Sequence, residues 1–278
     1  MQQHNNVHRQ QLFNWIGRHI EAETPGHHLN DNLRIKYLDC FREALNRGLW
    51  VKTPDKPDYL WDESIFKVDQ PIVCFTEWAL SQSRPHTAEY GRLALGFPKR
   101  FVLSRGGQPV MYIRDGQKGA PYAAALRKVA EWFGKQPANH EIRPIQEQFR
   151  YLMHFTKRIG RTKKKIQDKQ KRSMPEKKPT FRPDPFKKQF GPILHYLEER
   201  EWRIVYSETT RRCFLPGNSL GKPKYYLLFK SGRDLFTVVF PDHKTHRMAI
   251  EDKSIRQALY PENAPQVTVL SLEDVGTF

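Results

Sequence analysis

No run of about 18 apolar residues occurs in the chain, so the sequence predicts no membrane-spanning helix. The first residues, Met1-Gln2-Gln3-His4-Asn5-Asn6, are polar and lack a signal-peptide core, which points to the cytoplasm. Cysteine is scarce: Cys40, Cys74 and Cys213 are far apart and odd in number, unlike a secreted disulfide framework or a zinc site. Cys74, in the apolar run Ile72-Val73-Cys74-Phe75, reads as a small buried hydrophobe rather than a nucleophile. No Walker-type glycine loop exists, and Gly106-Gly107 reads as a turn. His243 and His246 beside Asp242 read as a polar loop and not a metal centre, and no acidic metal cluster favours a nuclease. Helix-turn-helix, zinc-finger and RNA-recognition signatures are missing, which argues against sequence-specific nucleic-acid readout.

What the chain does have is size, aromatics and positive charge. Its 278 residues, with 17 Phe, 11 Tyr and 6 Trp, can build a substantial core. The net charge is +17, and it is unevenly spread. Between Lys157 and Lys188 fourteen Lys or Arg face three acidic residues, a local charge of +11; the other 246 residues share +6. Such a strip suits phosphate neutralisation without base readout, through Lys163, Lys164, Lys165, Lys169, Lys171, Arg172, Lys187 and Lys188. Phe181 and Phe186 add faces on which unpaired bases can stack. A solvated loop that serves only solubility is the plainer alternative.

Periodicity predicts the framework. Leu12, Trp15, Ile16, His19 and Ile20 have helical spacing, ended by Thr24-Pro25-Gly26. A second helix is expected from Asp31 to a C-cap at Gly48, and Thr53 to Asp69 reads as an irregular loop. Strands are predicted at Ile72 to Phe75, Leu93 to Phe97 and Val110 to Ile113, then helices at Pro121 to Phe133 and Ile145 to Arg158. Pro175, Pro179, Pro183 and Pro185 exclude a continuous helix in the strip; a short one should resume at Phe190 to Leu197. Further strands are expected at Arg200 to Tyr206, Tyr225 to Phe229, Leu235 to Phe240 and Val267 to Leu270, with a helix near Lys253 to Tyr260. Irregular mixing of the two element types argues a single α+β domain, residues 1–278, with mixed or antiparallel sheets flanked by helices. Residues 157–188 form a basic, Pro-rich insertion within it.

Glu198-Glu199-Arg200-Glu201-Trp202-Arg203-Ile204-Val205 is the candidate chemical segment. In a strand, Glu201, Arg203 and Val205 share one face, and Trp202, Ile204 and Tyr206 point into a core. Neighbouring carboxylates need a cation or hydroxyl partner; the plain reading is that Arg200, Arg203 or a lysine neutralises them at a solvated edge.

Several segments resemble the AbiGi-type abortive-infection family: Pro71-Ile72-Val73-Cys74-Phe75-Thr76-Glu77, His86, Glu89-Tyr90-Gly91-Arg92-Leu93-Ala94-Leu95-Gly96-Phe97, and Gly107-Gln108-Pro109-Val110-Met111-Tyr112. Glu199-Arg200-Glu201-Trp202-Arg203 resembles that family's later segment; the resemblance spans about residues 70–115 and 190–270. A more distant, fold-level likeness is to DarT-like ADP-ribosyltransferases that modify nucleic acid. It implies NAD as substrate, with Glu201 stabilising the positive charge that develops as the nicotinamide–ribose bond breaks, and Glu199 positioning or deprotonating the acceptor. It implies an NAD site drawn from His28, Tyr90 and Thr76, against plainer readings of His28 as a capping or surface residue, Tyr90 as a core aromatic and Thr76 as a structural hydroxyl. The expectation is thus an ADP-ribosyltransferase-like phage-defence effector acting on nucleic acid or a nucleic-acid-associated target. Its rival is a non-enzymatic antitoxin or repressor-type component that binds nucleic acid or a cognate toxin or other defence protein.

Overall fold

The computed structural model describes residues 11–23, 29–51, 58–59, 67–68, 70–77, 80, 87, 90–114, 121–136, 140–159, 200–217 and 224–275. The chain forms two compact units, one of Met1–Thr53, Gln70–Gln108 and Glu201–Phe278, the other of Pro54–Asp69 and Pro109–Arg200.

In chain order, β1 (Gln11–Ile16) leads through Gly17 into α1 (Arg18–Glu23), α2 (Asp31–Arg47) and β2 (Leu49–Val51). Two short strands follow, β3 (Asp58–Tyr59) and β4 (Lys67–Val68), then β5 (Ile72–Thr76), β6 (Leu93–Pro98) and α3 (Lys99–Leu103). Next come β7 (Gln108–Pro109), β8 (Met111–Arg114), α4 (Pro121–Lys135), α5 (Ile142–Met153) and β9 (Thr156–Ile159). The last elements are β10 (Glu201–Val205), β11 (Phe214–Gly217), β12 (Lys224–Leu227), β13 (Thr237–Phe240), α6 (His243–Glu251), α7 (Lys253–Leu259) and β14 (Thr268–Ser271). The protein is α+β, as the irregular element order predicts.

The first unit is built on a seven-stranded sheet ordered β14-β13-β6-β1-β5-β10-β7. It is mixed: β13 and β14 run parallel, while β1 is antiparallel to β5 and β6, and β10 is antiparallel to β5. One face carries Leu12, Val73, Phe75, Leu95, Phe97, Ile204 and Phe240, and they pack with Tyr37 and Phe41 of α2 into the main core. Phe41 meets Phe240 edge-on at 5.5 Å, and Phe97 does the same to Phe75 at 5.8 Å. The other face holds a smaller cluster of Phe13, Ala94, Val239 and Leu272. A separate antiparallel sheet is ordered β11-β12-β2. The second unit pairs β8 with β9 in parallel and sets α4 against α5 through Ala130, Phe133 and Met153.

α2 begins and ends where its caps dictate. Asn30 accepts a hydrogen bond from the Leu33 N–H at 2.9 Å, and Gly48 stops the helix at φ 104°. Gly91 has a different task. At φ 106°, a Cβ here would collide with the Ile16 carbonyl and the Gly17 backbone, so only glycine permits this approach to the end of β1.

The predicted first helix is instead mostly strand β1. Its residues 12, 15, 16, 19 and 20 mimic a helical stripe, but Leu12 enters the main core while Phe13 and Trp15 serve the opposite face. A central strand is apolar on both sides, which erases the alternation that would identify it. Gly17 at φ 107° then separates it from α1. The helix predicted to run from Ile145 to Arg158 is in fact α5 followed by β9, because Phe155 is buried at a break where periodicity alone shows none. His243 and His246 lie in helix α6 and not in a loop. The signal was Asp242, an N-cap whose carboxylate accepts from the Thr245 N–H at 2.7 Å. Thr53 to Asp69, expected to be irregular throughout, carries the short antiparallel pair β3–β4. The helix expected at Phe190 to Leu197 lies outside the described residues.

Candidate functional site

Two of the segments that carry the family resemblance, β5 and β10, form one antiparallel ladder. Glu201 pairs with Thr76, Trp202 with Phe75, Arg203 with Cys74, Ile204 with Val73 and Val205 with Ile72. Directly opposed residues point to the same face, so Thr76, Cys74, Glu201 and Arg203 share a side with Phe13, the β1 partner of Thr76. Trp15, two residues further along β1, donates its indole N–H to the Thr76 hydroxyl at 3.3 Å.

On that face the Arg203 Nε–H donates to Glu201 Oε1 at 2.8 Å. Glu201 is only 6% exposed and Arg203 7%, so the expected neutralisation by Arg203 does occur, but inside the protein and not at a solvated edge. β10 lies between β5 and β7, and Glu201, Arg203, Ile204 and Val205 are all buried. A carboxylate buried this way needs its cation, since removing either partner strands a charge away from water.

The opposite face of the ladder carries a second polar pin. Trp202 donates its Nε1–H to Glu77 Oε2 at 3.0 Å. Lys99 at the start of α3 forms an ion pair with the other Glu77 oxygen, and its ammonium lies 5.5 Å from the centre of the Trp202 ring. Just before β10, Arg200 adopts φ 40°, the one positive φ outside glycine among the described residues. That left-handed turn costs about 1 kcal/mol and sets the direction in which Glu201 enters the sheet.

β1 and β5 register at a single position, Phe13 with Thr76. One residue on, the side-chain amide of Asn14 donates to the Cys74 carbonyl at 2.9 Å. A side chain thus continues the link where the backbone ladder stops. Cys74 is exposed, contrary to the expectation of a buried hydrophobe: Val73 and Phe75 fill the core, and period-two geometry turns Cys74 the other way. Cys40 is the thiol that burial does affect. Desolvation, reinforced by Glu43 and Asp39, pushes it up to about 11, which keeps it protonated and unreactive at neutral pH.

Of the residues singled out in the sequence, Thr76 and Glu201 are brought together as register partners. Tyr90 lies three residues before Leu93, which pairs with Ile16 at the end of β1. Tyr90 is half-buried next to Gly91. Glu199, His28, Lys163, Lys164, Lys165, Lys169, Lys171, Arg172, Lys187 and Lys188 lie outside the described residues. Sequence reasoning did not assign Trp15, Glu77 and Lys99 to the site. Glu77 sat within the quoted motif, but nothing local announces that Lys99 and Trp202 converge on it.

A cavity elsewhere in the first unit, about 140 Å³, is lined by Arg42, Leu45, Asn46, Ser231, Ser254 and Ala258. That is well below the several hundred Å³ typical of small-molecule sites. No group of His, Cys, Asp and Glu among the described residues is arranged to hold a metal ion.

The sequence pattern of the family described as "Putative abortive phage resistance protein AbiGi, antitoxin" matches residues 53–225. The chain belongs to the AbiGi family. Its match includes the whole β5–β10 ladder, so both pins of the site fall within the family region. Neither the curated proteins nor the solved structures provide a significant match. No helix among the described residues is long and apolar enough to cross a membrane.

Proposed function

We propose that this AbiGi-family chain is an antitoxin-type component of an abortive-infection system, working by binding a cognate defence protein rather than by transferring ADP-ribose. One observation carries the preference: the carboxylate that a transferase would aim at a ribose hydroxyl is buried and engaged by Arg203. For Glu201 to act on NAD, that ion pair would have to open. The family description supports the same reading.

The basic stretch from Lys157 to Lys188 is the natural contact for a polyanion, and we propose nucleic acid as a second partner, bound through phosphates. An antitoxin with both contacts can hold its toxin and sit on DNA or RNA at once.

Two measurements test the proposal. Co-expression with the cognate toxin, recognised by its toxicity in the absence of this chain, should restore host growth, and purified protein should leave NAD intact with or without DNA or RNA. NAD consumption by wild type that Glu201→Gln abolishes would return the transferase reading and remove this one. Neutralising Lys163, Lys164, Lys165, Lys169, Lys171 and Arg172 should weaken nucleic-acid binding and flatten its dependence on salt. An unchanged slope would reduce the stretch to a solvated loop.

A further inference from the structure

The hairpin of α4 and α5 in the second unit leaves large apolar side chains in water. The two helices pack antiparallel: Phe133 near the end of α4 meets Phe149 at 5.2 Å, and its carbonyl accepts from the Gln146 side chain at 2.9 Å. Ala130, Leu126, Ile142 and Met153 complete that seam. Outside it, Tyr122, Val129 and Trp132 of α4 and Ile145 and Leu152 of α5 are exposed, Trp132 by 53% and Leu152 by 60%.

These five residues form one face. At 100° per residue, the α4 stripe lies about 80° round the helix from its packed seam, and the α5 stripe about 70° round in the same sense. Because the helices run in opposite directions, equal rotational senses bring both stripes to the same side of the hairpin. The spacing within each stripe, i to i+7 with a further i+3 step to Trp132, makes its side chains neighbours along the helix. Lys128 and Lys135, at i−4 and i+3 from Trp132, border the face on its solvent side. A patch of this composition is unusual unless something covers it.

We infer that this face docks an apolar, acidic-flanked segment of the cognate defence protein, with Trp132 and Leu152 as anchors and Lys128 and Lys135 pairing with the partner's carboxylates. The inference rests on the antitoxin reading and gives it a location. A second copy of the chain is disfavoured by charge, since the second unit has a net charge of +10. Single-stranded nucleic acid would use Tyr122 and Trp132 for stacking but finds no stacking surface on Val129, Ile145 and Leu152. Aliphatic anchors beside an aromatic one match a helix-in-groove or strand partner instead.

The test uses the full chain and three labelled probes: a synthetic helical peptide with a Leu face and a Glu face, its Leu/Lys counterpart, and oligo(dT), each followed by fluorescence anisotropy. The Leu/Glu peptide should bind, and Trp132→Ala with Leu152→Ala should weaken it at least about tenfold, the loss of one anchor. Lys128→Glu with Lys135→Glu should shift preference to the Leu/Lys peptide, a gain that misfolding cannot imitate. Peptide binding untouched by both double variants, or a loss confined to oligo(dT), overturns the face as a protein-docking site. A parallel arm uses the cognate toxin. If wild type fails to bind it, the antitoxin reading falls; if wild type and Trp132→Ala/Leu152→Ala bind it equally, that reading stands and this face is refuted.

Discussion

In the unit built on the seven-stranded sheet, charges are matched at short range. Arg203 meets Glu201 at 2.8 Å, Arg34 meets Asp242 at 2.8 Å and Arg42 meets Asp252 at 2.8 Å. In the other unit the charge is largely unmatched in composition, while exposed apolar side chains occur in both, Trp50 and Leu215 in the first as well as Trp132 and Leu152 in the second. Of the chain's +17, +10 belongs to the 108 residues of that second unit and +7 to the 170 of the first. Matched charges hold a fold in register, whereas excess charge beside exposed apolar surface is what a binding surface needs. On the proposed docking reading, the first unit spends its polar residues on structure and the second presents a binding face.

Breaking the buried pair is the severest challenge to that division. Glu201→Ala leaves the Arg203 guanidinium buried without its carboxylate, and the expected loss is about 3–5 kcal/mol. Chemical denaturation read by far-UV circular dichroism would report it. A loss under about 1 kcal/mol would mean that the pair is dispensable to the fold, and the first unit would regain a carboxylate to spare for chemistry.

How much of this was visible in the sequence follows from how far apart the interacting residues lie. Helix α2 was legible because its caps and its stripe are local: Leu33, Tyr37, Leu38 and Phe41 repeat with the helix, and Gly48 ends it. Strands β5, β6 and β10 were legible as short apolar runs, and the sharing of one face by Glu201 and Arg203 follows from the strand period alone. What decides the site is not local. Thr76 and Glu201 are 125 residues apart, and only register makes them partners. Burial of Glu201 depends on what tertiary packing lays over its face of the sheet, which no window of sequence reveals. β1 failed for a related reason, because being covered on both faces removed its alternation.

A milder contrast lies at the surface of the first unit. Asp252 caps α7, accepting from the Ser254 hydroxyl at 2.6 Å and from the Ile255 N–H at 3.0 Å, and it also binds Arg42. The Ser254 hydroxyl, then the Ile255 N–H and Arg42, hold its carboxyl well below the usual aspartate range. A depressed folded-state pKa stabilises above the unfolded value near 4 and is lost as pH falls through the folded value. Asp252→Ala should therefore cost about 1 kcal/mol at pH 7, the worth of an N-cap. The gap from wild type should narrow in strong acid, as urea midpoints measured from pH 7 down to pH 2 would show. A gap that widens on acidification would reverse the assignment.

The smallest effect is expected where the comparison is sharpest. Trp132 is as large a side chain as any in the first unit's core, and truncating a buried aromatic costs about 3–5 kcal/mol. On the exposed face of α4 it gives up only the contacts it makes along its own helix, including the edge-on packing against Phe133 at 5.0 Å. Leu152 is similarly exposed on α5. Trp132→Ala and Leu152→Ala should each move stability by no more than about 0.5 kcal/mol, as exposed positions do. Thermal melts of the full chain provide the measurement. A shift as large as that from Glu201→Ala would show that the second unit's apolar face is structural, and the division between a holding unit and a docking unit would collapse. Unchanged melting together with lost peptide binding would instead assign Trp132 to docking.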